Sequence, residues 1–137
     1  MIMIAVAAVA AFVIPINSES AEEFTACYEV SGDTVGTYND LESAFDAINA
    51  DAGTNYTITA EGNDLGATFF KLDAGKNVTL TSSANETYTI KITTGDRHGT
   101  VNGSLTLENI TLDGNGNGGG IEVASSGTLD MNSGSAV

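Results

Sequence analysis

Three segments of the chain share one form: a glycine, a short apolar alternation, then a polar stop. They are "GKNVTLTS" (residues 75–82), "GSLTLEN" (103–109) and "GTLDMNS" (127–133). Leu80, Leu107 and Met131 mark the same place in each, 27 and 24 residues apart, and Tyr56, Thr57 and Ile58 form an earlier member, with Ile58 22 residues before Leu80. Between the copies stand further alternating pieces, "YTIKI" and "NITLDG" after the first and second, "TFFKLD" and "GGGIEV" before the first and third. Threonine or a charge alternates with Ile, Leu, Val or Phe, so each piece is a strand with one apolar and one polar face. A unit of 22 to 27 residues with about three such strands cannot bury its own apolar face. Stacking neighbouring units does so, which is the logic of a solenoid. Apolar side chains point inward and threonines outward. The expectation is an all-β chain, a right-handed parallel β-helix. Strands every 10 to 12 residues also suit a β-sandwich, the structural alternative, but repetition at coil length rather than hairpin length favours the solenoid.

One segment has the other periodicity. In "YNDLESAFDAINADAG", Leu41, Ala44, Phe45 and Ile48 fall at i, i+3, i+4 and i+7, an apolar helical stripe. Asn39 or Asp40 is placed to cap it, Glu42 favours the positive end of its dipole, and Gly53 marks its stop. Before it, "CYEVSGDTVGTY" reads as a weak hairpin. Residues 1–14 are apolar, then Pro15 and Asn17 break the run. The run is too short to span a bilayer, which needs about 20 residues, and has the length of a signal-peptide core, with small residues at Ser18 and Ser20 for cleavage before Ala21. The usual basic residues ahead of such a core are absent, the first basic residue being Lys71, so the true start is expected upstream of Met1. The organisation is therefore an export segment over 1–20, a linker and weak hairpin over 21–36, an amphipathic helix over 37–53 and coils over 54–137. The chain is expected to be secreted or displayed on the cell surface, with no membrane span apart from the export signal.

Composition narrows the partners. Four basic residues face eighteen acidic ones, a formal net charge of −14. Such a surface repels nucleic acid and anionic lipid. Cys27 is the only cysteine, so no internal disulfide and no cysteine-based zinc cluster exist. "FTAC" loosely resembles a lipobox but follows the apolar run about ten residues too late; Cys27 is expected to be a small buried or boundary residue.

The helix "Y.DLESAFDAIN", then "NVTLTS", then "SLTLENITLDGNGNGGGIEV..SGTLDMNSG" resembles secreted pectate-lyase-like β-helix proteins, and most of all the adhesin-like surface proteins of bacteria and methanogenic archaea. The resemblance covers about residues 37–137. It implies that the helix caps the N-terminal end of a β-helix and shields its apolar interior, and that further coils or a partner follow at the other end. Expected ligands are carbohydrates or surface proteins bound on an extended face rich in Thr, Asn and acid. The alternatives are a carbohydrate-active enzyme of the β-helix type, a polysaccharide lyase or glycoside hydrolase, and a structural surface stalk.

Three features could carry chemistry. In "DGNGNGGG", Asp113, Asn115, Asn117 and Gly118 match the first half of a calcium loop. Position 124, where the bidentate glutamate belongs, is alanine, and Glu122 stands two residues early. The expectation is a glycine-asparagine turn between strands, with calcium the only cofactor considered. In "TGDRHGT", Asp96, Arg97 and His98 bring the only arginine and histidine together. Lyases of the family use a basic residue as proton acceptor, but sequence neighbours on a turn seldom face one point, so a solvated turn is expected. Finally, Asn55, Asn77, Asn85, Asn102 and Asn109 begin Asn-x-Ser/Thr sequons that could carry glycans in an exported protein.

Overall fold

The structure is a computed structural model and describes residues 27–137 except Thr94, Asp96 and Asn117. The expected export segment lies outside the described residues. The chain opens with a hairpin, β1 (Tyr28–Gly32) and β2 (Gly36–Tyr38), followed by α1 (Leu41–Ala50). Ten strands follow: β3 (Asn55–Ala60), β4 (Asp64–Ala67), β5 (Phe70–Leu72), β6 (Asn77–Ser82), β7 (Tyr88–Ile92), β8 (Gly99–Val101), β9 (Ser104–Glu108), β10 (Ile110–Asp113), β11 (Ile121–Val123) and β12 (Thr128–Met131).

They form three sheets, ordered β12-β9-β6-β3-β1-β2, β10-β7-β4 and β11-β8-β5. Every third strand from β3 onward joins the same sheet, and all these pairs are parallel. This is a β-solenoid of three coils with a fourth begun by β12. A sandwich would require antiparallel packing between two sheets, and the coils have none. Ile58, Leu80, Leu107 and Met131 stand opposite one another in register, as their spacing predicts.

The interior follows from this register. Ile58, Leu80 and Leu107 stack at 0 % exposure, and Tyr56, Val78 and Leu105 form a second buried stack on the same sheet. Fully burying one such aliphatic side chain stabilises by about 1.5–3 kcal/mol. Phe70 of β5 lies opposite Gly99 of β8, where a Cβ would come within 2.7 Å of the Phe70 ring. A glycine on one coil thus makes room for an aromatic ring on its neighbour.

The hairpin treats the first coil differently. β1 runs antiparallel to both β3 and β2, so the β3 edge of the coils is paired and the long sheet ends at β2 instead. The Tyr28 hydroxyl donates to Asp64 Oδ2 at 2.6 Å, both residues buried, and Asp64 Oδ1 accepts the Gly66 amide at 3.0 Å. Burial, and next the neighbouring carboxylate, push the Tyr28 hydroxyl far above the usual tyrosine range. This pair sits where the β4–β7 register slips, so a buried carboxylate is satisfied inside a bulge.

The helix forms for the reasons its sequence suggests. Asp40 is the N-cap and accepts the Ser43 amide at 2.8 Å. Leu41, Ala44, Phe45 and Ile48 are the buried face. They pack on β5, β2 and β1. The helix ends at Ala50, with no basic residue in its last turn. A cation arrives instead from the next coil: Lys76 Nζ donates to the carbonyls of Asp51 and, at 2.8 Å, Gly53. Positive charge there complements the helix C-terminus. Among the described residues no helix is long and apolar enough to cross a membrane.

Candidate ligand-binding face

The outward positions of the long sheet build a polar recess. Parallel pairing places Asn55, Asn77 and Ser104 in one line, and Thr57, Thr79 and Thr106 in a second line two residues further along. Side chains two apart on a strand share a face and lie roughly 6.5–7 Å apart, and successive coils rise about 4.8 Å. The two lines therefore run parallel to the stacking axis as polar ladders. Between them lies an open groove of about 320 Å³, closed at the hairpin end by Gly32. That volume is at the low end of the range for ligand sites.

Local hydrogen bonds hold one ladder in place. Asn77 Nδ2 donates to Asn55 Oδ1 at 3.1 Å, and Asn55 Nδ2 donates to Thr54 Oγ1 at 3.0 Å. Asp33 anchors the start of the first rung by accepting the amides of Thr54 and Asn55 at 2.7 and 3.0 Å. The Asn55 amide, then that of Thr54, holds the Asp33 carboxyl below its ordinary range. Asp51 does similar work at the corner below, accepting from Gly53 N and Tyr56 Oη at 2.9 Å each. The Gly53 amide is the main reason its pKa is lowered. Burial, then the bond to Asp51, pushes the Tyr56 hydroxyl up to about 12. The far rim is acidic: Glu108 lies opposite Thr81, and Asp130 opposite Thr106.

Two of the calcium candidates, Asp113 and Glu122, have separate partners. Asp113 Oδ1 accepts the Asn115 amide at 2.8 Å, an Asx turn, and its other oxygen lies 3.5 Å from Lys91 Nζ. That Asn115 amide is the main reason Asp113 titrates low. Glu122 faces elsewhere, accepting from Thr100 Oγ1 at 3.1 Å and lying 3.6 Å from Arg97. Asn117 lies outside the described residues. No group of His, Cys, Asp or Glu among the described residues is arranged to hold a metal ion.

Of the Asp96, Arg97, His98 triplet, Arg97 and His98 lie in different surroundings. Asp96 lies outside the described residues. Arg97 is exposed beside Glu122. His98, read from sequence as part of a solvated turn, is 1 % exposed. Its Nε2 lies 3.2 Å from the Ile90 carbonyl, and its Nδ1 is buried with no hydrogen-bond partner. Burial lowers its pKa, partly offset by the carbonyls of Ile90, Asp113 and Gly120. His98 amide and carbonyl continue the ladder, to Gly120 O and from Phe70 N. It is a buried residue at the corner just before β8.

Of the sequon asparagines, Asn55, Asn77 and Asn85 are exposed, and Asn102 and Asn109 are half-buried. Asn85 and Asn109 occupy left-handed corners, φ 60° and 52°, which asparagine tolerates better than most residues. Cys27 is half-buried, as its boundary position suggests. The groove itself escaped sequence reading. The signal for it is the alignment of Asn-x-Thr, Asn-x-Thr and Ser-x-Thr at residues 55, 77 and 104 once coil spacing is applied.

The chain matches no family model, no curated protein and no solved structure with which it was compared.

Proposed function

We propose that this chain is an exported cell-surface protein of adhesin-like kind, which binds carbohydrate or protein ligands along the outer face of its long sheet. The observation that carries this reading is the groove between the two ladders. In it, hydroxyl and amide groups repeat once per coil on a rigid scaffold. Sites on strands hold their geometry better than sites on loops. In this reading the solenoid is right-handed, α1 shields the interior at the N-terminal end, residues 1–20 direct export, and no catalytic step is assigned.

The test is retention of the 137-residue chain on immobilised cell-wall polysaccharides and on surface proteins. The expected outcome is binding that weakens in a Thr79→Val, Asn77→Ala double variant of unchanged fold. Absence of binding to both classes, or binding indifferent to the double variant, would contradict the reading.

A further inference from the structure

We infer that the groove selects an uncharged, extended glycan lying along the stacking axis, with roughly one sugar ring per coil, and rejects acidic polysaccharides. This rests on the reading of the face as a ligand-binding surface and adds the class of ligand.

The charge distribution carries the selectivity. The chain has four basic residues, and three pair with carboxylates away from the groove, while Lys76 reaches Tyr56 Oη, a lining group, at 3.5 Å. Lys76 holds the helix end. Lys71, Lys91 and Arg97 lie 3.5, 3.5 and 3.6 Å from Asp73, Asp113 and Glu122, respectively. None of the four lines the groove, and its two ends carry Asp33 and the pair Glu108 and Asp130. An anionic ligand there would meet no cation in the lining itself and a surface of net charge −14.

The lining carries the class. Threonine and serine hydroxyls and asparagine amides each offer both donors and acceptors, as sugar hydroxyls do. A peptide would instead seek pockets for its side chains or an open sheet edge, and the groove lies mainly on the inner strands β3, β6 and β9 rather than at the edge strands β2 and β12. The rungs rise about 4.8 Å per coil, close to the advance of one ring along an extended β-1,4-linked chain.

The experiment is calorimetry on the 137-residue chain with hexasaccharides. The neutral probes are β-1,4-linked glucose, mannose and N-acetylglucosamine; galacturonate and glucosamine hexamers are the charged ones. At least one neutral hexamer is expected to bind. Galacturonate is expected to bind on the order of tenfold more weakly, with the gap narrowing in salt. Thr79→Val should weaken neutral binding roughly three- to tenfold, the loss of one hydrogen bond. Thr89→Val, on another sheet, should not. Thr106→Val serves as the second groove variant if Thr79→Val unfolds. Galacturonate binding as tightly as the neutral hexamers overturns the inference while leaving the face as a ligand surface, and so does glucosamine binding in place of every neutral hexamer. A protein ligand sensitive to Thr79→Val, with no glycan bound, does the same. Binding of any kind insensitive to both groove variants overturns the inference and the functional reading together.

Discussion

Phe45 of the helix lies flat on Phe70 of the first coil, with ring centroids 4.3 Å apart and planes within 10°. The contact joins the two periodicities of the chain, the helical stripe and the first alternating strands. It also explains Gly99, which leaves the Phe70 ring its space on the next coil. Phe45→Ala is expected to destabilise the fold by about 3–5 kcal/mol, read as a lower urea midpoint. Gly99→Val should cost about 1–3 kcal/mol by overpacking the same place. If Phe45→Ala moves the midpoint no more than a surface substitution, the helix is not packed on the coils.

Tyr28 and Asp64 make a second junction, between hairpin and solenoid. Tyr28→Phe keeps the ring and removes the donor to a buried carboxylate. The expected loss is about 1–3 kcal/mol, measured by urea denaturation. A neutral result would mean that Asp64 finds another donor.

Among the described residues, Lys76 is the only basic group bonded to the helix end. Lys76→Met retains most of the aliphatic stem while removing the ammonium from the carbonyls of Asp51 and Gly53. A loss of about 1–2 kcal/mol is expected. Hydrogen exchange should quicken first in the last turn of α1; uniform quickening across the coils would contradict this.

The pH dependence has a definite sign. His98 titrates below its ordinary 6.5 because burial disfavours the charged ring. Its contribution is present above 6.5 and is lost as pH falls through 6.5 toward the folded value, because the unfolded chain takes up the proton first. Asp33, Asp51 and Asp113 titrate below 3.8, so their contribution is present above 3.8 and lost as pH falls further. Both windows point the same way. Thermal midpoints should therefore drop between neutral pH and pH 5, and again below 4. His98→Leu should abolish the first drop and leave the second. Persistence of the first drop in that variant would assign it elsewhere.

Much of this fold could be read from residue order, because Leu80, Leu107 and Met131 repeat at coil length and alternation reveals which side faces in. The helix stripe was equally plain. Two strands were not. β4 is "DLGA", where the inward residues are Asp64 and Ala67 and no apolar alternation exists. β8 begins with Gly99, which reads as a turn until Phe70 is placed beside it. His98 was misread for the same reason. A polar residue amid Asp, Arg and Gly looks solvated, and its burial shows only when neighbouring coils bond its backbone, through Phe70 and Gly120. The outward threonines were evident, but the groove depends on the relative position of distant coils, and that is set by register.

Register is therefore the central claim, since the ladders exist only if coils stack in parallel at the stated residues. Nuclear Overhauser contacts between the backbone protons of Thr57, Thr79 and Thr106 measure it directly. The expected pattern is sequential contact from Thr57 to Thr79 and from Thr79 to Thr106, each across about 4.8 Å. Close Hα–Hα contacts characteristic of antiparallel pairing between β3 and β6, or between β6 and β9, would contradict the solenoid and the groove with it.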